Sequence, residues 1–140
     1  NAPITRTFES KKQKGAEVDL STVFANSVKK AVRTVILDQK DHLEVIDRLE
    51  TRDKEATVSW MMVTPAEAKI TGKNRIELTK DGQRMLLTAD TGTEVEMKIW
   101  SNVPPHEYDF RNPGTIRVGF ETVIPANRAS QLKVRLIPLK

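Results

Sequence analysis

In the stretch Ile116-Arg117-Val118-Gly119-Phe120-Glu121-Thr122-Val123, Ile116, Val118, Phe120 and Thr122 alternate with Arg117, Gly119, Glu121 and Val123. A repeat of two puts one set of side chains on a core and the other in water, which is the pattern of a half-buried β-strand. The same period recurs on both sides of this run. Val58, Trp60 and Met62 alternate with Thr57, Ser59 and Met61; Val95, Met97 and Ile99 with Glu94, Glu96 and Lys98; Leu132, Val134 and Leu136 with Lys133, Arg135 and Ile137. Turn signals fall between the runs at Asp38 to Asp41, Thr64-Pro65, Thr71-Gly72, Asp81-Gly82, Thr91-Gly92 and Pro113-Gly114. Many short strands at such spacing predict an all-β fold, an antiparallel two-sheet β-sandwich occupying residues 1–140 as a single domain.

The sharpest local signal is Asp81-Gly82. Ile76 and Leu78 lead into it, and Met85, Leu87 and Ala89 lead out at matching spacing. Glycine takes the positive φ that a tight turn needs, so residues 74–89 read as a β-hairpin. The single helical candidate is Asp19-Leu20-Ser21-Thr22-Val23-Phe24, in which Ser21 offers a cap before Asn26 and Ser27 break the pattern. That predicts at most one short helical turn linking two strands. Between Ser101 and Pro113 the alternation fails across a segment holding Pro104, Pro105 and Pro113. A loop of this length is often functional; the alternative is a passive crossing from one sheet to the other.

Composition narrows the function classes. The 140 residues contain no cysteine, which excludes a disulfide scaffold, a thiolate metal site and a cysteine nucleophile. No apolar run approaches the roughly 18 residues of a membrane helix, so a membrane is not an expected partner. Lys plus Arg number 23 against 19 Asp plus Glu, a formal charge of +4, which lies within the ordinary range for solubility. After Glu121 no acid occurs, while Arg128, Lys133, Arg135 and Lys140 follow. A solvated strand face explains that asymmetry, and contact with an anionic polymer or an acidic neighbouring domain is the functional alternative. Basic residues interleaved with stacking aromatics are missing, which argues against nucleic acid. The chain begins at Asn1 without a signal segment and ends on a strand-like run, from which an excised C-terminal fragment of a larger protein is expected.

Catalysis requires a nucleophile, acid or base tuned by its neighbours. His42 falls in a predicted turn and His106 in the long loop, with no second histidine at metal-ligand spacing. There is no phosphate-cradling glycine motif and no Gly-x-Ser-x-Gly elbow. No catalytic residue, metal or cofactor is therefore expected within these residues. If residues 38–42 turn a hairpin, antiparallel pairing opposes Val35 to Val45, Leu37 to Leu43, Ala31 to Leu49 and Arg33 to Asp47, all on the apolar face. A charge on such a face has to be paired to be tolerated, so Arg33 and Asp47 read as a structural ion pair. The alternative is an anchor for a sugar carboxylate at Arg33. Trp60 shares parity with Val58 and Met62 and belongs to the core, whereas Trp100 has the opposite parity to Ile99 and stands open between core and ligand. Candidate ligand-binding residues are Trp100, His106, Tyr108 and Arg111; the bland reading of Tyr108 is a ring packed on the sandwich rim.

The order of segments supports a resemblance. Phe8-Glu9-Ser10, Ala16-Glu17-Val18-Asp19-Leu20-Ser21 and Ala31-Val32-Arg33-Thr34-Val35-Ile36 are followed by Leu43-Glu44-Val45-Ile46-Asp47-Arg48-Leu49 and Val58-Ser59-Trp60-Met61, with Gly119-Phe120-Glu121 and Leu132-Lys133-Val134-Arg135-Leu136 closing the chain. This succession resembles the C-terminal β-sandwich region of heparinase II/III-like polysaccharide lyases. The resemblance implies a parent with an N-terminal helical toroid and β-sandwich domains that cleaves uronic-acid polysaccharides by β-elimination. It also implies a periplasmic or secreted bacterial protein. The family's catalytic tyrosine and histidine lie mainly in the toroid and at its junction with the central sandwich, and no position here matches their motifs. Three roles follow: a non-catalytic terminal sandwich partnered by the other domains of the parent, an independent carbohydrate-binding module for anionic polysaccharide, and a structural or adhesion sandwich that binds protein.

Overall fold

A computed structural model describes all 140 residues. Eleven strands form in chain order: β1 (Ile4–Glu9), β2 (Gln13–Asp19), β3 (Val28–Asp38), β4 (Leu43–Thr51), β5 (Ala56–Thr64), β6 (Glu67–Gly72), β7 (Arg75–Lys80), β8 (Gln83–Thr91), β9 (Glu96–Ser101), β10 (Ile116–Ile124) and β11 (Ala129–Leu139). An eight-stranded sheet runs β1-β2-β3-β4-β11-β8-β7-β6, and a three-stranded sheet runs β5-β10-β9. Every pairing is antiparallel. The architecture is the all-β sandwich expected from the period of two, with a marked difference in width between its layers.

The main core is built by the alternating residues. Val118 and Phe120 from β10, Trp60 from β5 and Met97 from β9 pack onto Val45, Ile76, Leu78, Leu87, Ala89, Leu132, Val134 and Leu136 of the large sheet. The Trp60 and Phe120 rings, directly opposite each other in register, lie parallel with centroids 6.1 Å apart. A second cluster of Val28, Ala31 and Ala56, flanked by Leu20 and Leu49, closes one end of the interior. Thr64 and Thr122 are also buried on the strands of the small sheet, where hydroxyls find partners: Thr122 Oγ1 donates to the Glu94 carbonyl at 2.8 Å.

Two glycines have definite backbone reasons. Gly82 takes φ +74° beside Asp81 at +50°, and Lys80 pairs with Gln83, so β7 and β8 are joined by the tight two-residue turn predicted for residues 74–89. Gly119 sits where β5 approaches most closely: a Cβ there would come within 1.8 Å of the Trp60 carbonyl oxygen.

Residues 21–27 form a run of turns, within the expected limit of one short helical turn; Phe24 N–H donates to Leu20 O at 3.2 Å and Val28 N–H to Phe24 O at 2.9 Å. Three local expectations are corrected. Asp19, not Ser21, caps this turn, accepting from Ser21 N–H at 2.9 Å, while Ser21 Oγ accepts from Ala31 N–H. The turn expected at Thr71-Gly72 falls at Lys73-Asn74 because β6 runs through Gly72. The long loop does not cross between sheets: it joins β9 to β10, which are neighbours in the small sheet. Ile99 keeps the parity of Met97 yet remains exposed near the end of β9.

Candidate functional site

The sequence candidates fall into two separate places. At one end of the small sheet, the 102–115 loop carries His106, Tyr108 and Arg111. A turn closed by Asp109 N–H donating to His106 O at 3.1 Å brings the rings of His106 and Tyr108 together, with centroids 5.0 Å apart and planes within 7°. His106 and Arg111 line a shallow depression of about 470 Å³ with Asn102, Pro104, Glu107 and Pro113. Its base is tied by Asn102 Nδ2 donating to Thr115 Oγ1, which donates in turn to Asn112 O, both at 2.7 Å. Tyr108 is 84% exposed, so its ring projects into solvent instead of packing on the rim. Phe110, two residues further along the loop and absent from the sequence candidates, is 88% exposed. The stacked His106 and Tyr108 rings, with Arg111 on the same loop, suit stacking and hydrogen bonding to a polar ligand; open to water, the loop offers no desolvated pocket of the kind in which acids and bases are usually tuned.

Trp100 does not join this depression. It lies on the outer face of the small sheet, half-buried, directly opposite Arg117, which is itself opposite Val63 on β5. Arg117 Nη2 donates to Ser101 O at 2.9 Å, holding the guanidinium at that row. Arg117 is a second residue missed from sequence, because its neighbour across the strands depends on a β9–β10 pairing that the intervening loop hides. Farther along the same face, Lys98 Nζ lies 2.8 Å from Glu121 Oε2. This hydrogen bond holds the Glu121 carboxyl below its ordinary value and the Lys98 ammonium above its own.

The second place is the gap at the β5 side of the sandwich. Arg33 and Asp47 are partners across β3 and β4, in the register Val35↔Val45 and Leu37↔Leu43. Arg33 Nε donates to Asp47 Oδ1 at 2.7 Å and Nη2 to Oδ2 at 2.9 Å. Hydrogen bonding to Asp47 raises the Arg33 guanidinium above its ordinary value, against the burial that would lower it. The Asp47 side chain is 8% exposed and that of Arg33 39%, so the pair is inserted from the edge of the core. Both line a cleft of about 380 Å³ with Leu20, Phe24, Val58 and Trp60. Its carboxylate-satisfied arginine and apolar walls favour an uncharged occupant over a second anion.

The C-terminal cations are partly neutralised. Lys133 and Arg135 both flank Glu44 on the adjacent β4, at 4.0 and 3.4 Å. No group of three or more His, Asp or Glu residues is arranged to hold a metal ion.

No family model matches this chain, and no curated protein matches it either. Solved structures do. Heparinase III superposes with a TM-score of 0.75 at 12% identity, covering 99% of this chain and 21% of that one. A second heparinase III gives a TM-score of 0.71 at 12% identity over 100% of this chain and 22% of its own. The heparan sulfate lyase HepC of Pedobacter heparinus gives 0.67 at 16% identity, again over 100% and 22%. The fold of this chain is therefore that of a β-sandwich portion of heparinase III, and the chain spans about a fifth of the length of the proteins it matches.

Proposed function

We propose that this chain is the non-catalytic C-terminal β-sandwich of a heparinase II/III-like polysaccharide lyase, a bacterial periplasmic or secreted protein. Its role is to buttress the catalytic domains and to contribute to the rim of an anionic-polysaccharide cleft. The observation that carries this reading is the match along the whole chain to about a fifth of heparinase III. The exposed setting of His106 and Tyr108 supports it from the chemical side. β-Elimination removes the proton next to the uronate carboxylate and expels the glycosidic oxygen, and both steps rely on acid–base groups held in a defined pocket. The partners in this reading are the other domains of the lyase and its polysaccharide.

A second reading, an independent module for anionic polysaccharide, is favoured by the exposed Tyr108 and Phe110 on the loop that also carries Arg111. One pair of assays separates the two. The 140-residue chain, incubated with heparan sulfate, is expected to produce no new ultraviolet absorbance from unsaturated uronates. On a glycan panel the buttress reading expects retention only by the longer lyase. Retention by the 140-residue chain alone, weakening as salt rises, selects the module reading, and elimination by the chain alone refutes both.

A further inference from the structure

Four strands end the two sheets: β1 and β6 on the large sheet, β5 and β9 on the small one. Soluble β proteins guard such edges against further pairing with charged residues and proline. Three of these edges follow the rule. β1 carries Arg6 and Glu9, β6 carries Glu67 and Lys69, and β9 carries Glu96 and Lys98. β5 does not: Ala-Thr-Val-Ser-Trp-Met-Met-Val-Thr contains neither a charge nor a proline over nine residues. It pairs with β10 along its full length on one side and with no strand on the other.

That bare edge overhangs uncovered sheet. The cleft holding Arg33 is bounded by Ala56, Val58 and Trp60 of β5 above and by Ala31 and Asp47 below, which places β5 over β3 and β4. Beyond it the large sheet continues through β2 and β1 with no opposing layer. The face there is mixed: Ala16, Val35 and Leu37 line a shallow trough of about 530 Å³ together with the exposed Thr7, Glu9 and Lys14. The small sheet thus stops short on this side, leaving main-chain hydrogen-bonding groups free above a floor that is apolar at Ala16, Val35 and Leu37 and polar toward Thr7, Glu9 and Lys14.

We propose that the free edge of β5 is a strand-acceptor site, filled by an extended stretch of the longer polypeptide that reaches it from the N-terminal side. This inference rests on the reading that the chain is one domain of a larger lyase. Two observations choose the occupant. A second copy pairing β5 to β5 about a two-fold axis would bring both large sheets to the same face. Each projects past its β5 by two strands, roughly 10 Å at about 4.8 Å per strand, so the two shelves collide and only unbacked chain fits. The backbone at Asn1 is also held beside the cleft: Thr22 Oγ1 donates to Asn1 O at 2.9 Å, within the same turn as Phe24, which walls the cleft. Chain entering at Asn1 therefore passes the mouth of the gap. Main-chain pairing supplies the affinity, and alternate apolar side chains fill the cleft beneath β5.

Residue-resolved amide hydrogen exchange on the 140-residue chain and on the longer polypeptide tests this. In the 140-residue chain, β5 amides directed at the free edge are expected to exchange about 100-fold faster than those bonded to β10. In the longer polypeptide the fast set slows by a similar factor, while β6 and β9 edge amides do not. If the β5 set stays fast there and amides elsewhere slow, the domain docks through another surface; the acceptor site is wrong and the lyase reading stands. If no amide slows, both fall. Slow free-edge amides in the 140-residue chain by itself also overturn the proposal.

Discussion

Arg33 and Asp47 meet as a two-bond ion pair at the margin of an apolar interior, with the carboxylate buried and the guanidinium reaching the cleft. Removing the acid strands a half-buried cation, whereas replacing both partners by apolar side chains removes the desolvation cost of each. Asp47→Asn is expected to destabilise the chain by about 2 kcal/mol, a fully buried pair being worth more. The double change Arg33→Met with Asp47→Leu is expected to recover most of that loss. Urea unfolding midpoints of the wild type, Asp47→Asn and the double variant check both expectations.

Gly119 and Trp60 set a different limit. With the Trp60 carbonyl oxygen 1.8 Å from the place a Cβ would take, Gly119→Ala forces the backbones of β10 and β5 apart. The collision is with main chain in the middle of a paired ladder, so neither side can relax by a rotamer change. A loss of about 3 kcal/mol is expected, the upper part of the usual range for overpacking. Thermal unfolding monitored by far-ultraviolet circular dichroism measures it.

Trp60 Nε1 is buried without a hydrogen-bond partner. Trp60→Phe removes that orphaned donor and leaves a small void, two effects of opposite sign, so a net change within about 1 kcal/mol is expected. Trp60→Ala also empties the space stacked against Phe120 and is expected to cost about 4 kcal/mol. A Phe variant as unstable as the Ala variant contradicts the assignment of the orphaned N–H as a standing cost.

The carboxylates paired at the surface give the pH response its direction. Glu121 is held low by Lys98, Glu77 by Arg84 and Glu50 by Lys29. A folded-state value below the ordinary 4.5 means that the stabilisation is fully present above 4.5 and is lost as pH falls through the lowered value. Stability is therefore expected to hold from neutral pH to about 4.5 and to decline below it. Glu121→Gln should shallow that acid-side decline, and added salt should lessen it further because these pairs are exposed. Melting temperatures measured between pH 2 and pH 7 at two salt concentrations decide the point.

Much of the fold is legible in the sequence because burial on one face leaves a period of two. The alternation at Ile116, Val118 and Phe120 identifies the inner face of β10, and Asp81-Gly82 identifies a turn whose positive φ values admit little else. The Arg33–Asp47 register follows from the same constraint, since a one-residue slip would turn Val35 and Val45 outward. What sequence does not reveal is partnership between distant strands. That β11 inserts between β4 and β8, and that β9 neighbours β10 across a long loop, depends on long-range packing. The row Val63–Arg117–Trp100 is illegible in sequence for that reason. Phe110 is illegible because a loop phenylalanine has no periodic neighbour to show whether it points in or out.

The loop aromatics separate stability from recognition. Tyr108 and Phe110 make so little contact with the sandwich that the joint change Tyr108→Ala with Phe110→Ala is expected to alter stability by less than about 0.5 kcal/mol. If the loop contacts sugar as proposed above, the same variant should lower that interaction: polysaccharide retention by the isolated chain in the module reading, or turnover of heparan sulfate by the longer lyase in the buttress reading. Arg111→Gln supplies the charge-specific comparison, because its effect should shrink as salt is raised whereas that of the aromatic variant should persist. A double aromatic variant with full retention and full turnover would remove the loop from both accounts.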